Sequence, residues 1–320
     1  MSTLPILAVL GGLVLLVAGA DRFVTGAAAL ARNLGVAPMV VGLTIVGFGT
    51  SAPEMLVSGI AAWQGNPGLG IGNALGSNVT NIALIIGATA VLRPLRVRSL
   101  TLRRELPVLM AVTLAALALM ADGHLGRLDG ALLMGGLALL LYAVLLLARR
   151  DRRDPLAAEF AAEMPAAMPT GRALLWLAAG LAGLLIGSRV LVWGAVALAQ
   201  ALGVSDLVIG LTVVAVGTSL PELAASVAGA LKGEDDIAVG NVIGSNMFNL
   251  LAVLGLPGLI RPAPFEPAVL TRDFPVLIAL TIALFAMAYG FRGEGRINRW
   301  EGLLLLAAFV AYDYTLYAGG

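Results

Sequence analysis

The sequence contains no cysteine and a single histidine, His124. Disulfide bonds and thiolate metal sites are therefore excluded, and His124, which lies in a short polar stretch, is expected to be an exposed loop residue. Charge is scarce as well, since Asp, Glu, Lys and Arg make up 12% of the 320 residues, against about 25% in a typical soluble domain. Because the net charge is only +1, no positive field favours nucleic acid as a partner.

The sequence is rich in long apolar runs. Hydrophobic residues make up 59% of the chain, and the mean hydropathy is +0.96. Many runs reach roughly 20 residues, the length that an α-helix needs to cross about 30 Å of hydrocarbon. No basic segment and cleavage site precede the first run, so it is predicted to be a retained membrane helix. The sequence thus predicts an all-α integral membrane protein.

Ten transmembrane helices are predicted, in two groups of five. The groups occupy residues 1–148 and 172–320, and the charged, Ala- and Pro-rich stretch 149–171 is predicted to be a cytoplasmic linker between them. Hydrophobic periodicity and length give the individual spans. These are 4–20 (or 4–33), 37–63, 69–92, 105–121, 126–148, 173–200, 206–231, 237–260, 273–291 and 299–317.

The distribution of basic residues predicts the orientation. If the N-terminus is outside, most of the 20 Lys and Arg residues lie in cytoplasmic loops, whereas Arg127, Arg261 and Arg272 lie outside and Arg189 falls within a span. Cytoplasmic loops of membrane proteins carry an excess of Lys and Arg. We therefore expect both termini outside, the linker in the cytoplasm, and the chain in the cell (inner) membrane.

An octet in the second predicted helix recurs 168 positions later. Residues 47–54 read GFGTSAPE, and residues 215–222 read AVGTSLPE. The Gly-Ser-Asn triplet at 76–78 likewise recurs at 244–246. Because each copy contains five predicted helices, the second copy must enter the membrane from the opposite side. Such inverted-topology repeats are typical of secondary transporters, whose sites lie near the midplane at the repeat interface.

Glu54 and Glu222 are the recurring acidic residues that fall deep within predicted helices. A third, Asp313, lies in the last predicted helix but has no acidic counterpart in the first copy. An ionisable group in the membrane is costly and indicates a functional site by default. The alternative is a carboxylate that is neutralised by a basic partner, and no Lys or Arg lies at similar depth in the same helices. We expect the two glutamates to share one cation site.

Pro53 and Pro221 precede these glutamates and remove a backbone N–H from each helix. The break frees carbonyl oxygens, and broken helix at membrane depth occurs where it lines a cavity or is buried in protein. Hydroxyl groups on the same turns add oxygen ligands, although they can instead bond to the preceding helical turn. These hydroxyls belong to Thr50, Ser51, Thr218 and Ser219.

The third and eighth predicted helices are expected to supply further ligands. Ser77 and Asn81 are four residues apart and therefore share a helix face, as do Ser245 and Asn249. The alternative role for these side chains is hydrogen bonding between helices, which is the favoured role for Asn78 and Asn246. Small-residue patterns on both helices predict close helix contacts. They are Gly72-x-x-x-Gly76 and Gly240-x-x-x-Gly244.

The predicted donor set consists of oxygen atoms from carboxylates, hydroxyls, amides and carbonyls. Hard cations prefer oxygen, and Ca²⁺ suits such a set better than Mg²⁺, which dehydrates reluctantly. Two carboxylates balance one Ca²⁺. When Ca²⁺ leaves, other cations have to replace its charge, and either Na⁺ or H⁺ can do so.

At these residues the chain resembles prokaryotic sodium/calcium exchangers of the cation/calcium exchanger superfamily. The two GTSxPE motifs and the two GSN motifs carry the resemblance, which covers nearly the whole chain. It implies ten helices in two inverted halves, with the site between the second, third, seventh and eighth helices. It also implies that the first and sixth helices slide across the rest.

The resemblance further implies ligand roles. Glu54 and Glu222 would bridge calcium and sodium subsites, Ser77 and Ser245 would line sodium subsites, and Gly47 and Ala215 would offer backbone carbonyls. Asn249 departs from some relatives, which carry an aspartate there. Asparagine at both 81 and 249 removes one negative group, which argues against potassium dependence.

The sequence therefore predicts a Na⁺/Ca²⁺ antiporter that is not an enzyme, needs no cofactor and functions as a monomer in the lipid bilayer. A Ca²⁺/H⁺ antiporter is the first alternative, although proton-coupled relatives carry GNxxE where this chain has GTSxPE. A cation channel is a further alternative. A channel pore usually surrounds an oligomer axis, whereas here the duplicated site lies within one chain.

Overall fold

The computed structural model describes residues 3–34, 47–97, 100–148, 168–289 and 295–318. Within these ranges, helices account for most of the chain, as the long apolar runs require. Tight turns separate the helix Ala52–Gln64 from Pro67–Leu92 and the helix Leu220–Lys232 from Asp235–Ile260. Gly65 and Gly233 end equivalent helices in the two halves with φ of 100° and 92°, a left-handed conformation that glycine adopts at no steric cost.

The structure describes twelve helical segments. In chain order they are α1 (Leu4–Asn33), α2 (Gly47–Thr50), α3 (Ala52–Gln64), α4 (Pro67–Leu92), α5 (Leu100–Leu119), α6 (Arg127–Ala148), α7 (Thr170–Leu202), α8 (Asp206–Thr218), α9 (Leu220–Lys232), α10 (Asp235–Ile260), α11 (Val269–Ala288) and α12 (Arg299–Ala318). Short stretches of α4, α8, α10 and α11 are π-helical. They are Thr80–Ile86, Gly210–Val214, Asn249–Val253 and Val269–Asp273.

Five of the described helices, α1, α4, α7, α10 and α11, are long and apolar enough to cross a membrane. The pair α8 and α9 meets the same condition as one broken span with a bend of 43°. The helices α5, α6 and α12 contain 20, 22 and 20 residues, which at 1.5 Å per residue corresponds to about 30 Å. The chain is a helical, multi-pass membrane protein.

Within the described residues, the observed bounds agree closely with the predicted spans. α1 extends to Asn33, which is the longer of the two predicted alternatives, and the predicted breaks interrupt the second and seventh spans at Ser51 and Ser219. The predicted linker 149–171 overlaps α7, which begins at Thr170, while residues 149–167 lie outside the described ranges. His124 is half-buried in a short strand and is not an exposed loop residue, because its backbone pairs with that of Pro264.

Two small antiparallel sheets lie at opposite ends of the helices. β1 (Leu95–Val97) pairs with β4 (Gly295–Ile297), and β2 (His124–Leu125) pairs with β3 (Ala263–Pro264). Since α5 leads from β1 to β2 and α11 leads from β3 to β4, each helix runs from one sheet to the other. Each sheet thereby joins a connection of the first half to a connection of the second half.

The helices α4 and α10 form the centre of the molecule. In their most apolar segments 78% of the residues are buried, against 28% in α1 and 39% in α7. The main hydrophobic core includes Ile71 and Leu75 from α4 together with Val242 and Ile243 from α10. Polar residues on α4 and α10 therefore lie far from solvent.

The helices α1 and α7 form an outer, antiparallel pair. Glycines recur every seventh residue on α1, and each lies against the backbone of α7. A Cβ atom on Gly19 would come within 2.8 Å of the Leu184 nitrogen, so only glycine permits this close approach. The contacts along the pair are Gly12 with Leu191, Gly19 with Leu184, and Gly26 with Leu177.

Candidate cation site

Ser51 and Ser219 interrupt the two helical segments that carry the glutamates. Ser51, between α2 and α3, has φ −83° and ψ 0°, and Ser219, between α8 and α9, has φ −82° and ψ 6°. Each serine precedes a proline by two residues, and the missing proline N–H prevents a continuous helix. The predicted breaks are confirmed. They place Glu54 and Glu222 in the first turn of α3 and α9, where the positive end of the helix dipole stabilises negative charge.

Both glutamate side chains are completely buried. Ser219 Oγ donates a hydrogen bond to Glu54 Oε1 at 3.2 Å, and Ser245 Oγ donates to Glu222 Oε1 at 3.2 Å. The two carboxyl groups are close enough to interact electrostatically. In the described part of the chain, Oε2 of each glutamate has no hydrogen-bond partner. Two buried carboxyl groups with free oxygens require a cation or a proton.

Ser245 connects three segments of the site. Its hydroxyl lies 3.2 Å from Ser51 Oγ and 3.5 Å from Thr50 Oγ1, in addition to its bond to Glu222. The end of α2 and the starts of α3 and α9 therefore meet at the middle of α10. The structure brings together these predicted residues from both copies of the repeat.

Ser77 occupies the position equivalent to Ser245 but makes a different contact. Its hydroxyl lies 3.5 Å from Asn73 Oδ1, one turn earlier on α4. The same Asn73 oxygen accepts a hydrogen bond from Thr218 Oγ1 at 3.1 Å. Glu54 therefore accepts a hydrogen bond from Ser219, at the break between α8 and α9, whereas Glu222 accepts one from Ser245 on α10. The two copies of the site are not equivalent in this structure.

Asn73 and Asn241 position the glutamate-bearing helices, a role that the motif analysis missed. Asn73 Nδ2 donates to the Glu54 backbone oxygen and to Ser58 Oγ, both at 3.1 Å. Asn241 Nδ2 donates to the Glu222 backbone oxygen and to Ser226 Oγ, both at 3.3 Å. The signal that could have revealed this pair is that both the asparagines and their serine partners recur at the repeat spacing.

Asn81 and Asn249 lie on the π-helical turns of α4 and α10 and are buried. Asn81 Nδ2 donates to Asn246 Oδ1 at 3.0 Å, so part of its role is bonding between helices. Neither amide atom of Asn249 has a hydrogen-bond partner within the described ranges. An unsatisfied buried amide is unfavourable, and π-helical turns occur frequently at functional sites. Asn249 is thus available to bind a ligand or water.

Ala215 and Thr218 are largely engaged by protein partners. The Ala215 carbonyl accepts hydrogen bonds from Ser219 N at 3.1 Å and from Thr218 Oγ1 at 3.3 Å. A cation bound by this carbonyl would have to compete with two donors. Thr218 Oγ1 also lies 3.0 Å from the Val214 oxygen, which is the back-bonding alternative. Gly47 begins α2, and the described geometry assigns no further contact to it.

The predicted close approach of the third helix is confirmed for Gly72 and Gly76. A Cβ on Gly72 would lie 2.3 Å from the Leu207 oxygen, and one on Gly76 would lie 2.5 Å from the Leu211 oxygen. These glycines bring α4 directly against α8. A Cβ on Gly240 would lie 3.0 Å from Leu102 Cδ2, and no described atom lies within 4 Å of a Cβ on Gly244, so the close approach predicted for this second pair is not seen among the described residues.

The chemistry of this site follows from its donor atoms. The two carboxyl groups, the four hydroxyls on the helix breaks, the two serines and the two asparagines are all buried in the described structure, and their side chains are rich in oxygen. Among the described residues there is no cluster of three or more His, Cys, Asp or Glu side chains. The arrangement suits the reversible binding of hard cations better than permanent metal retention.

Comparison with known proteins places the chain in a family. The family profile described as "Sodium/calcium exchanger protein" matches residues 4–148 and 172–318. CaxA of Alkalimonas amylolytica, which is named as a candidate antiporter, is 53% identical over 97% of this chain and 98% of its own length. The sodium/calcium exchanger MaX1 of Methanosarcina acetivorans is 33% identical over 99% of both chains.

A solved structure of the sodium-calcium exchanger NCX_Mj, soaked with Na⁺ and Sr²⁺, is similar over the whole fold. It superposes with a TM-score of 0.68 at 32% identity, covering 98% of this chain and 99% of that chain. Members of this family are exchangers, that is transporters and not enzymes. The matched residues include both glutamate-bearing helix breaks and both GSN helices. The chain belongs to the sodium/calcium exchanger protein family.

Proposed function

We propose that this protein is a secondary-active antiporter that exchanges Na⁺ for Ca²⁺ around a site formed by Glu54 and Glu222. The observation that carries the proposal is the pair of fully buried carboxyl groups, each with one oxygen that no described residue satisfies. The surrounding hydroxyl and amide oxygens suit both ions. Ca²⁺ and Na⁺ are the substrates, and no resident cofactor is proposed.

Competition for the same oxygens couples the two ions. One Ca²⁺ neutralises both carboxylates, and its departure leaves two buried negative charges at a high energetic cost. Sodium ions that occupy overlapping positions remove this cost. A site that changes its exposure only when neutralised therefore moves one ion in exchange for the other.

We further propose ten transmembrane helices in two inverted repeats, with α2–α3 and α8–α9 counted as one broken span each. The recurrence of the Asn73 contacts at Asn241 supports this arrangement. The repeats occupy residues 1–148 and 172–320. The distribution of basic residues supports outside termini, a cytoplasmic linker and an inner-membrane location, and the complete site within one chain supports a functional monomer.

The outer pair α1–α7 is proposed to move across the rest to alternate access. Both helices are far less buried than the central α4 and α10, and they pack tightly on each other through glycines. Val24 of α1 lies beside Gly49 and Leu13 lies beside Gly217. The pair thus contacts both helix breaks, where a displacement would open or cover the site.

Uptake of ⁴⁵Ca²⁺ into proteoliposomes tests the proposal. Vesicles loaded with Na⁺ and diluted into Na⁺-free medium are expected to accumulate Ca²⁺, whereas vesicles with an acidic interior and no Na⁺ are not. Uptake driven by the proton gradient alone would assign H⁺ coupling instead. Fast uptake that dissipates a Ca²⁺ gradient without either counter-ion would indicate a channel.

A further inference from the structure

Arg96 and Arg296 lie directly opposite each other in the sheet formed by β1 and β4. Their neighbours on the two strands, such as Leu95 and Ile297, are buried, whereas both arginines are exposed. Residues that face each other across two antiparallel strands lie on the same face of the sheet. Both guanidinium groups therefore extend from one exposed face.

The two arginines form the closer of the two kinds of cross-strand pair. The Arg96 N–H donates to Asp235 Oδ2 at 3.3 Å, so it points towards the start of α10 and not towards β4. In a pair whose backbones do not bond to each other, the Cα atoms are only about 4.5 Å apart. Like charges placed directly opposite each other are destabilising.

No described side chain neutralises this pair. Within the described ranges, neither the Arg96 nor the Arg296 guanidinium group makes a hydrogen bond or an ion pair. The carboxylate that accepts the Arg96 N–H, that of Asp235, is buried and lies 3.8 Å from Arg93 Nε. An anion from outside the described structure would remove the repulsion between the two arginines.

The sheet at the other end of the molecule shows that the fold does not require these charges. There, His124 of β2 pairs with Pro264 of β3. Pro264 lies 168 positions after Arg96, the repeat spacing, and His124 occupies the place of Arg296 on the opposite strand. The same small sheet thus forms with no pair of like charges across it.

The connections that contain β1 and β4 are strongly basic. Residues 93–99 and 290–299 contain six arginines and one glutamate. In the corresponding residues of the other sheet, 261–267 and 118–127, two arginines are balanced by one aspartate and one glutamate. The orientation proposed above places the basic sheet at the cytoplasmic leaflet, which carries anionic lipids.

The position of the sheet along the helices matches the depth of lipid head groups. α4 and α11 end shortly before its strands, and α5 and α12 begin shortly after them. Large apolar side chains are exposed on these adjoining helix ends, with Leu92 at 58% and Trp300 at 77% of their surface. Tryptophan is enriched at membrane–water interfaces, and arginine side chains extend to the head groups from such positions.

We propose that Arg96 and Arg296 together bind the phosphate of one anionic phospholipid. The phosphate lies at the sheet and the acyl chains run along the helices towards the bilayer centre, past Leu92 and Trp300, which is the ordinary orientation of a lipid in its leaflet. Each guanidinium group can donate two parallel, charge-assisted hydrogen bonds to a phosphate. Exposed apolar surface beside a pair of cations is complementary to a lipid and not to a soluble anion.

The lipid would connect the two halves of the chain at this end, because β1 belongs to the first half and β4 to the second. The other sheet, with His124 and Pro264 at the equivalent positions, is not expected to bind such a lipid. The site is separate from Glu54 and Glu222, so the inference does not depend on which ions are exchanged.

Native mass spectrometry of the delipidated, full-length protein in detergent tests this site. One phosphatidylglycerol is expected to bind about tenfold more tightly than phosphatidylcholine, and Arg96→Gln/Arg296→Gln is expected to lose this preference. Arg127→Gln/Arg261→Gln is the matched control, since it removes two exposed arginines beside the other sheet. The control is expected to retain the preference of the wild type.

Melting temperatures separate lost binding from lost folding. Without lipid, Arg96→Gln/Arg296→Gln should melt at or above the temperature of the wild type, because the repulsion between the arginines is removed. Phosphatidylglycerol should raise the melting temperature of the wild type and of the control but not that of this variant. A lower melting temperature of the variant without lipid would assign the arginines a structural role and would overturn the proposal.

The binding data can also contradict the proposal directly. An unchanged preference in Arg96→Gln/Arg296→Gln would overturn it, as would an equal loss in Arg127→Gln/Arg261→Gln. Glycerol 1-phosphate at the same concentration as the lipid is expected not to displace it. Displacement would assign the arginines to a soluble phosphate compound and would overturn the proposal as well.

Discussion

Ser219 donates a hydrogen bond to Glu54 across 3.2 Å, although 165 positions separate the two residues in the chain. The repeat-related serine, Ser51, does not contact Glu222 in the same way but reaches it through Ser245. The site is therefore built from two similar sequence motifs in two different arrangements. A duplicated site with unequal halves is expected to respond unequally to equivalent substitutions.

Glu54→Gln and Glu222→Gln are each expected to abolish Na⁺-driven ⁴⁵Ca²⁺ uptake. Each change removes one of the two charges that balance Ca²⁺ while it preserves side-chain volume and a hydrogen-bond acceptor. Because Ca²⁺ prefers charged oxygen ligands, the rate of Ca²⁺ uptake should fall more than tenfold. Glu266→Gln is the control, since Glu266 is exposed in the connection before α11. Near wild-type exchange by either core variant would contradict a shared site.

Ser245→Ala is expected to impair Ca²⁺ binding more than the repeat-related Ser77→Ala. Ser245 donates directly to a carboxylate and contacts Thr50 and Ser51, whereas the Ser77 hydroxyl contacts only an amide oxygen at 3.5 Å among the described residues. A hydrogen bond to a charged group contributes about 1.5–3 kcal/mol, against about 1 kcal/mol for a neutral one. The half-saturating Ca²⁺ concentration measures the difference. Equal effects would show that this asymmetry does not affect binding.

A comparison of Asn249→Ala with Asn81→Ala is expected to distinguish a residue that binds ions from one that stabilises the fold. Asn81 donates to Asn246, so its loss should lower the free energy of unfolding by about 1 kcal/mol. Asn249 has no hydrogen-bond partner in the described structure, so its loss should weaken Ca²⁺ or Na⁺ binding with a smaller change in melting temperature. Thermal unfolding and ion titrations on the same samples make the comparison. Unchanged ion affinity in Asn249→Ala would remove this residue from the site.

Gly19→Ala is expected to destabilise the α1–α7 pair and to slow exchange. The added Cβ would lie 2.8 Å from the Leu184 nitrogen, and overpacking of this kind costs about 1–3 kcal/mol. Gly11→Ala is the matched control on the same helix, since no atom lies within 4 Å of its added Cβ. Melting temperature and exchange rate are measured for both variants. Equal melting temperatures and exchange rates for the two variants would show that α1 and α7 can move apart to fit the added Cβ without cost.

The bounds of most helices could be predicted from the sequence because they depend on local properties. Apolar runs predict the membrane-length helices. Gly65 and Gly233 favour turns, and Pro53 and Pro221 interrupt helices. The burial of Glu54 and Glu222 was also predictable, since a carboxylate deep in an apolar run has no route to water. These features require no knowledge of which helices are neighbours.

The sequence by itself determined that this is a membrane protein with two recurring, oxygen-rich motifs centred on buried glutamates. The tertiary structure alone decided which hydroxyl meets which carboxylate: Ser219 with Glu54, but Ser245 with Glu222. It also decided that Asn73 holds the Glu54 backbone and that Asn249 lies without a partner among the described residues. The reason is physical, because these contacts join helices that are far apart in the chain, and which side chains meet depends on how those helices pack, which a repeated local motif does not specify.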